Sequence, residues 1–287
     1  MGTAAWRDNW VLARDIKTHY VEAGDDGPPL VMLHGGGPGA SGEAGFRRVI
    51  PLMSDRFRIY APDQISYGLT EAPTIAWPVL AHHSLVNHVR DWMDALCLDD
   101  VYMIGNSQGA YVAARYALDF PGRVKKLFLI GSGTIAQAYG LPSPDNEARR
   151  ALMAFDGTAP SLRRFLEGIV YDRSTITDEL VESRIAAYAR PGIAEMTQTF
   201  GEGRERIMTN AFWRERFMLQ GKLERLPIPS MMVWGKQDAF APVELGYELE
   251  KMLPDMRFVY VDEAGHQVQT DQPETVAALA TAFFLGE

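Results

Sequence analysis

Cysteine is almost absent from this 287-residue chain. One residue, Cys97, stands where a disulfide needs two and a cysteine-rich metal site needs more. It falls in the amphipathic run HSLVNHVRDWMDALCLDD, a pattern that predicts core packing. Also missing is any stretch near the roughly 20 apolar residues of a membrane span. The opening MGTAAWRDNW lacks the apolar centre of a secretion signal, and Trp6 stands where a myristoylation signal needs Ser or Thr. Positive charge is scarce too. A net charge of −9 and a pI near 5.2 argue against nucleic acid and against an anionic membrane surface as partners. An anionic ligand would need a local cation to overcome that field. There is no internal repeat and no low-complexity tract. With 47% hydrophobic and 23% charged residues, a soluble, cytoplasmic globular chain is expected.

What is present alternates. Residues 10–22 read as an antiparallel hairpin, and Leu30–Leu33 as a compact buried strand ending in His34-Gly35-Gly36-Gly37-Pro38-Gly39. Ser41–Ser54 is predicted as a helix, Phe57–Ala61 as a strand, Thr70–Pro78 as a proline-punctuated loop and His83–Leu98 as a helix. Val101–Ile104 and Lys126–Ile130 read as strands flanking an apolar-periodic helix. Strands alternating with helices predict a mostly parallel sheet covered on both faces. The character changes over residues 135–226, where charged helical segments such as SLRRFLEGIV and ITDELVESRIAAYAR replace strands. This stretch is expected to be a helical lid inserted into an α/β core made of residues 1–134 and 227–287. Strands resume at Ser230–Trp234 and Arg257–Val261, and Glu274–Leu285 closes the chain as a helix.

The chemistry centres on VYMIGNSQG, residues 101–109. Strand, G-x-S-x-G and helix in succession spell a nucleophile elbow, in which a sharp turn exposes Ser107 and aims the Gln108 N–H at a developing oxyanion. A plain strand–helix turn with a capping serine is the plainer reading, and the context disfavours it. Asp238 and His266 each follow a predicted strand, so all three side chains would gather at one sheet edge. His266 would take the serine proton and Asp238 would orient the histidine. Asp262 and Glu263 are rival acids, too close along the chain to reach the far ring nitrogen easily. Gly36 or Gly37 would supply the second oxyanion donor, since glycine lets the backbone approach a carbonyl oxygen. The loop GGGPGASG lacks the spacing of a phosphate-binding loop. His34 reads as an anchor for that loop.

Taken together, LHGGGPGASG, GNSQG, WGKQDAFAP and AGHQVQ resemble the meta-cleavage product hydrolases, carbon–carbon bond hydrolases of aromatic degradation within the α/β-hydrolase superfamily. The likeness spans essentially the whole chain, the lid segment VYDRSTITDELVESR included. It implies an α/β-hydrolase fold with an inserted helical lid, no metal or organic cofactor, and a homo-oligomer, dimer or larger. The substrate it implies is a small-molecule carboxylate, a 2-hydroxy-6-oxohexa-2,4-dienoate. On the same resemblance, Arg184 matches a lid arginine that binds the dienoate carboxylate; without it, a solvated helix arginine is the default. Asn106 would meet the 2-hydroxy or 2-oxo oxygen, or else only brace the elbow. Phe240 and Ile169 match pocket-lining positions that ordinary core residues could equally fill.

Departures from the family pattern make the expected pocket more polar. Gln267 replaces a common Trp, Gln108 a common Met and Arg48 a common Asn, while Ser66 replaces a glycine in PDQISYG. Arg48 is then a second carboxylate clamp or a surface residue. The expected reaction is hydrolysis of the dienoate C5–C6 bond, with a carboxylesterase or lactonase on the same three residues as the alternative. A receptor-like protein that binds its ligand without turning it over is the remaining possibility, and the complete triad argues against it.

Overall fold

The computed structural model describes residues 6–72 and 80–287. The expected proline-punctuated loop reaches into the gap, so its residues 73–78 lie outside the described residues, as do the first five of the N-terminal stretch. The chain opens with β1 (Arg7–Ala13) and β2 (Ile16–Ala23), then β3 (Pro29–Leu33), α1 (Gly42–Phe46), α2 (Ile50–Met53) and β4 (Arg58–Pro62). After α3 (His82–Ala95) come β5 (Val101–Asn106), α4 (Gln108–Asp119) and β6 (Val124–Ile130). Six helices follow without a strand: α5 (Gly133–Ala138), α6 (Glu147–Met153), α7 (Ala159–Glu167), α8 (Asp178–Tyr188), α9 (Ile193–Thr209) and α10 (Ala211–Phe217). The sheet is completed by β7 (Ser230–Gly235), α11 (Val243–Met252) and β8 (Arg257–Val261), and the chain ends in α12 (Val268–Asp271) and α13 (Pro273–Leu285).

The eight strands form one sheet in the order β1-β2-β4-β3-β5-β6-β7-β8. Only the β1·β2 and β2·β4 pairs are antiparallel. Strand alternation sends side chains to two cores. Val31, Leu33, Met103, Leu127 and Leu129 face one with α3 and α4, while Leu30, Met32, Ile104, Phe128 and Ile130 face the other with α13. A third cluster, Leu162, Phe165, Leu166, Ile169, Ile176 and Val181, belongs to the helical segment between β6 and β7. That segment is tied over the C-terminal ends of the strands. Arg190 donates to the carbonyls of Gly68 and Thr70, and Arg184 to that of Pro38.

Two local expectations need correction. The single helix over 41–54 is broken into α1 and α2, because Pro51 has no N–H to continue the first helix and fits only the first turn of a new one. Cys97 is exposed rather than core. The helix stops at Ala95, and Cys97 takes a left-handed conformation (φ 52°) that turns the chain and buries Leu98 in its place.

Candidate active site

β5 ends in a turn that few sequences could make. Ser107 sits at φ 55°, ψ −117°, a conformation most L-residues avoid. Two glycines permit it. A Cβ on Gly105 would lie 2.4 Å from the Gly109 carbonyl oxygen, and one on Gly109 would lie 2.1 Å from that of Leu33. The neighbouring strand holds the turn from outside: the Ser107 N–H donates to the Ile130 carbonyl (2.8 Å), and the Ser132 hydroxyl donates to the Ser107 carbonyl (2.6 Å).

At this point His266 meets the serine. Its Nε2 is 2.8 Å from Ser107 Oγ and its Nδ1 is 2.7 Å from Asp238 Oδ2. The other carboxylate oxygen accepts the N–H groups of Phe240 (2.9 Å) and Ala241 (2.7 Å), so the loop after β7 aims Asp238 at the ring. Asp238 and His266 are buried. The rival Asp262 points elsewhere: it pairs with Lys236 and Gln237, and hydrogen bonds from them hold its pKa down to about 2. A hydroxyl, an imidazole and a carboxylate therefore stand in one hydrogen-bonded line, the arrangement that a nucleophile, a base and an orienting acid require.

Around this line sit two candidate oxyanion donors. Gln108 opens α4, so the helix itself leaves its N–H unbonded and places its positive end beside Ser107. Gly36 packs on the Gln108 side chain, where a Cβ would lie 3.1 Å from Oε1. Gly37 adopts φ 114° and leaves no room for a side chain against Phe165. His34 receives the Gln64 N–H on Nε2 (3.0 Å) and donates from Nδ1 to the Gly35 carbonyl (2.7 Å). Burial keeps its pKa low, so the ring is a neutral brace for the glycine loop.

Asn106 turns away from open space. Its amide donates to the carbonyls of His266 (3.1 Å) and Ile130 (3.3 Å), joining the elbow to the histidine loop. Ile169 is buried in the helical cluster, and its carbonyl accepts the Gln267 N–H. The Phe240 ring lies 4.8 Å from the His266 ring.

Arg184 is buried, and burial lowers its pKa to about 10. It donates twice to the Pro38 carbonyl, and among the described residues it has no carboxylate partner. It lines a cavity with Arg48, Leu166, Val170, Gln267 and Thr270. Arg48 reaches that cavity from an exposed position, donating to the Thr270 carbonyl. A second cavity, between His83, Asp119, Trp213 and Arg216, lies away from the triad.

The model of the alpha/beta hydrolase fold matches residues 28–273. The chain belongs to that family. This hydrolase is 30% identical over 280 residues to the 2-hydroxy-6-oxo-2,4-heptadienoate hydrolase of Pseudomonas putida, covering 96% of each chain. It is 28% identical to the 2-hydroxy-6-oxononadienedioate/2-hydroxy-6-oxononatrienedioate hydrolase of Paraburkholderia xenovorans, over 94% of this chain and 91% of that one. Among solved structures, the meta-cleavage product hydrolase of Pseudomonas fluorescens IP01, a mutant complexed with acetates, superposes with a TM-score of 0.80 at 27% identity, covering 97% of both chains.

Several residues of the site escape sequence reasoning. Tyr67 is half-buried against His34, and its hydroxyl accepts from the Gln108 amide; desolvation raises its pKa. Asp271 accepts the N–H groups of Gly265, Tyr171 and Asp172, fastening the histidine loop to the helical segment. Nothing in their sequence neighbourhoods signals these long-range partners.

Proposed function

We propose that this hydrolase cleaves the C5–C6 bond of a 6-substituted 2-hydroxy-6-oxohexa-2,4-dienoate, giving 2-hydroxypenta-2,4-dienoate and a carboxylic acid. The observation that carries the reading is Arg184: a buried guanidinium without a carboxylate, set against the glycine loop after β3 whose Gly36 packs on Gln108, the residue next to Ser107. An uncompensated buried charge is costly, and a bound carboxylate relieves that cost through paired charge-assisted hydrogen bonds.

In the proposed sequence the dienol first ketonises. The proton leaves the 2-hydroxyl oxygen and C5 gains one, so C5 can later depart with an electron pair. Ser107 Oγ attacks C6 as its proton passes to His266, with the Gln108 N–H and that of Gly36 holding the oxyanion. Gly37 is the alternative second donor. Collapse breaks C5–C6, and the electron pair delocalises to the C2 oxygen, which takes up the proton that His266 received from Ser107 as the dienol forms, leaving the imidazole neutral. Water, deprotonated by His266, then releases the acid from Ser107. The helical segment over 135–226 acts as a lid that encloses the chain of the substrate, and Arg48, Gln267, Phe240 and Ile169 border it.

Turnover of a 6-methyl or 6-phenyl dienoate, whose yellow colour fades on cleavage, tests this. Bleaching should vanish in Ser107→Ala. In Arg184→Met, kcat/KM should fall by about 2–5 kcal/mol of lost binding. The polar Gln108 and Gln267 favour the second reading, a carboxylesterase or lactonase. Fast p-nitrophenyl ester hydrolysis indifferent to Arg184, with the dienoates untouched, would establish it.

A further inference from the structure

The two backbone N–H groups proposed for the oxyanion belong to different segments, and one side chain lies between them. Gln108 offers its N–H from the start of α4, and Gly36 from the loop after β3. The Gln108 side chain packs on Gly36, where a Cβ would lie 3.1 Å from its Oε1 and 3.4 Å from its Cδ. Gln108 is buried, and its Nε2 donates to the Tyr67 hydroxyl (3.3 Å). That hydroxyl also lies 3.5 Å from the same Cβ position on Gly36. One phenol therefore reaches both halves of the expected oxyanion site.

Tyr67 is itself firmly placed. It belongs to the loop after β4 and is pinned on both sides: its N–H donates to the Gln64 carbonyl (2.9 Å), and its carbonyl accepts from the Thr70 N–H (3.1 Å). Its ring stands edge-on to His34, with 5.2 Å between centroids. His34 in turn accepts the Gln64 N–H and donates to the Gly35 carbonyl, so the phenol, the histidine and the glycine loop brace one another. Ser66, just before the tyrosine, takes φ 69°, a left-handed conformation that favours glycine. Backbone strain of this kind persists where the surrounding structure holds a group in one position. Desolvation raises the Tyr67 pKa, so the hydroxyl is uncharged at neutral pH. A phenolate there would repel a developing oxyanion; a phenol does not.

Donors stabilise an oxyanion only when they are already aimed at it, and a misplacement of about 1 Å can cost roughly a hundredfold in rate. Behind the elbow, Gly109 sets α4 against the end of β3, in contact with the Leu33 and His34 carbonyls. In front, the contact between the two segments is the Gln108 carboxamide on Gly36. A glutamine side chain has several rotatable bonds, and its only hydrogen bond among the described residues is the one to Tyr67. We propose that Tyr67 is a positioning residue for the oxyanion site: its hydroxyl holds the Gln108 carboxamide against Gly36 and so sets the spacing of the two N–H groups. This rests on the serine chemistry proposed above, and it holds for an ester as well as for a dienoate.

The test measures hydrolysis of p-nitrophenyl butyrate by the purified protein and its inhibition by phenylboronic acid, whose tetrahedral adduct on Ser107 carries the charge of the oxyanion. Tyr67→Phe removes the hydroxyl and keeps the ring against His34. In that variant kcat and kcat/KM should fall together by roughly tenfold, with KM unchanged. The boronate inhibition constant should rise by a similar factor while the urea midpoint stays near that of wild type. A merely structural role would lower the midpoint and spare the boronate. Gln108→Met keeps the bulk and removes the amide, so adding Tyr67→Phe to it should cost less than about twofold. Should Gln108→Met not fold, the boronate constant of Tyr67→Phe decides. The proposal is overturned by a Tyr67→Phe enzyme within about twofold of wild type in kcat and boronate affinity, by a loss confined to KM, or by an equal loss in both backgrounds. A protein that hydrolyses the ester but no dienoate loses only the carbon–carbon reading. One that hydrolyses neither, or keeps its ester activity in Ser107→Ala, loses the serine reading and this inference with it.

Discussion

Arginines without carboxylates and an asparagine without a free amide define the site residue by residue. A buried guanidinium held only by a carbonyl is a poor structural element, so Arg184→Met should lose activity without losing stability, read as an unchanged or higher urea midpoint. Asn106 gives its amide nitrogen to two carbonyls, which supports a positioning role over a contact with a substrate oxygen. Asn106→Ala should therefore lower kcat while leaving KM near its original value; a raised KM with kcat unchanged would restore the substrate contact. At Asp238 the two oxygens have separate tasks, one to two backbone N–H groups and one to His266. Asp238→Asn should present an N–H to the ring or break the turn, and kcat should fall roughly 10⁴-fold, as in triads of this geometry.

At the scale of elements, the elbow is a steric arrangement before it is a catalytic one. α4 crosses β3 so closely that Gly109→Ala would place a Cβ 2.1 Å from a backbone oxygen. Backbone cannot give way as a flexible side chain does, so a loss of about 3 kcal/mol or more is expected in urea unfolding. Gly201, in the exposed interior of α9, meets nothing within 4 Å. Gly201→Ala should stabilise the chain by about 0.5–1 kcal/mol. The same chemical change thus has opposite signs, decided by what the element packs against.

For the whole molecule, buried histidines set the response to acid. Burial lowers the pKa of His82, His83 and His88 from 6.5 to about 3, 4 and 3, so all three are neutral when folded. Unfolded, they take protons below pH 6.5, and the folded state loses stability as pH falls through that range, by about 2 kcal/mol per histidine at pH 5. His19 acts the other way. Burial pulls its pKa down, but Asp63 and Asp8 raise it above 6.5, so its contribution is present below that pH and lost as pH rises through the folded value. Three groups, with His34 shifted down by burial in the same direction, outweigh one, and the urea midpoint should be lower at pH 5 than at pH 7.5. An equal or higher midpoint at pH 5 would contradict the neutral burial of these rings.

Much of this architecture could be read from the chain alone, because its signals are local. The buried strands are short apolar runs, and the elbow glycines sit within two residues of the serine they serve. The order Ser107, Asp238, His266 needs only the positions of strand ends. Helix breaks were harder, since Pro51 and the turn at Cys97 interrupt runs whose apolar spacing continues through them. What an arginine or an amide faces is another matter. Arg184 meets Pro38 across 146 residues, Asn106 meets His266 across 160, and Gln108 meets Tyr67 across 41. A charge has no periodicity that betrays its partner. Residue type alone told only that these groups were polar; the packing of the helical segment over the sheet edge decided which were satisfied and which were left facing the cleft.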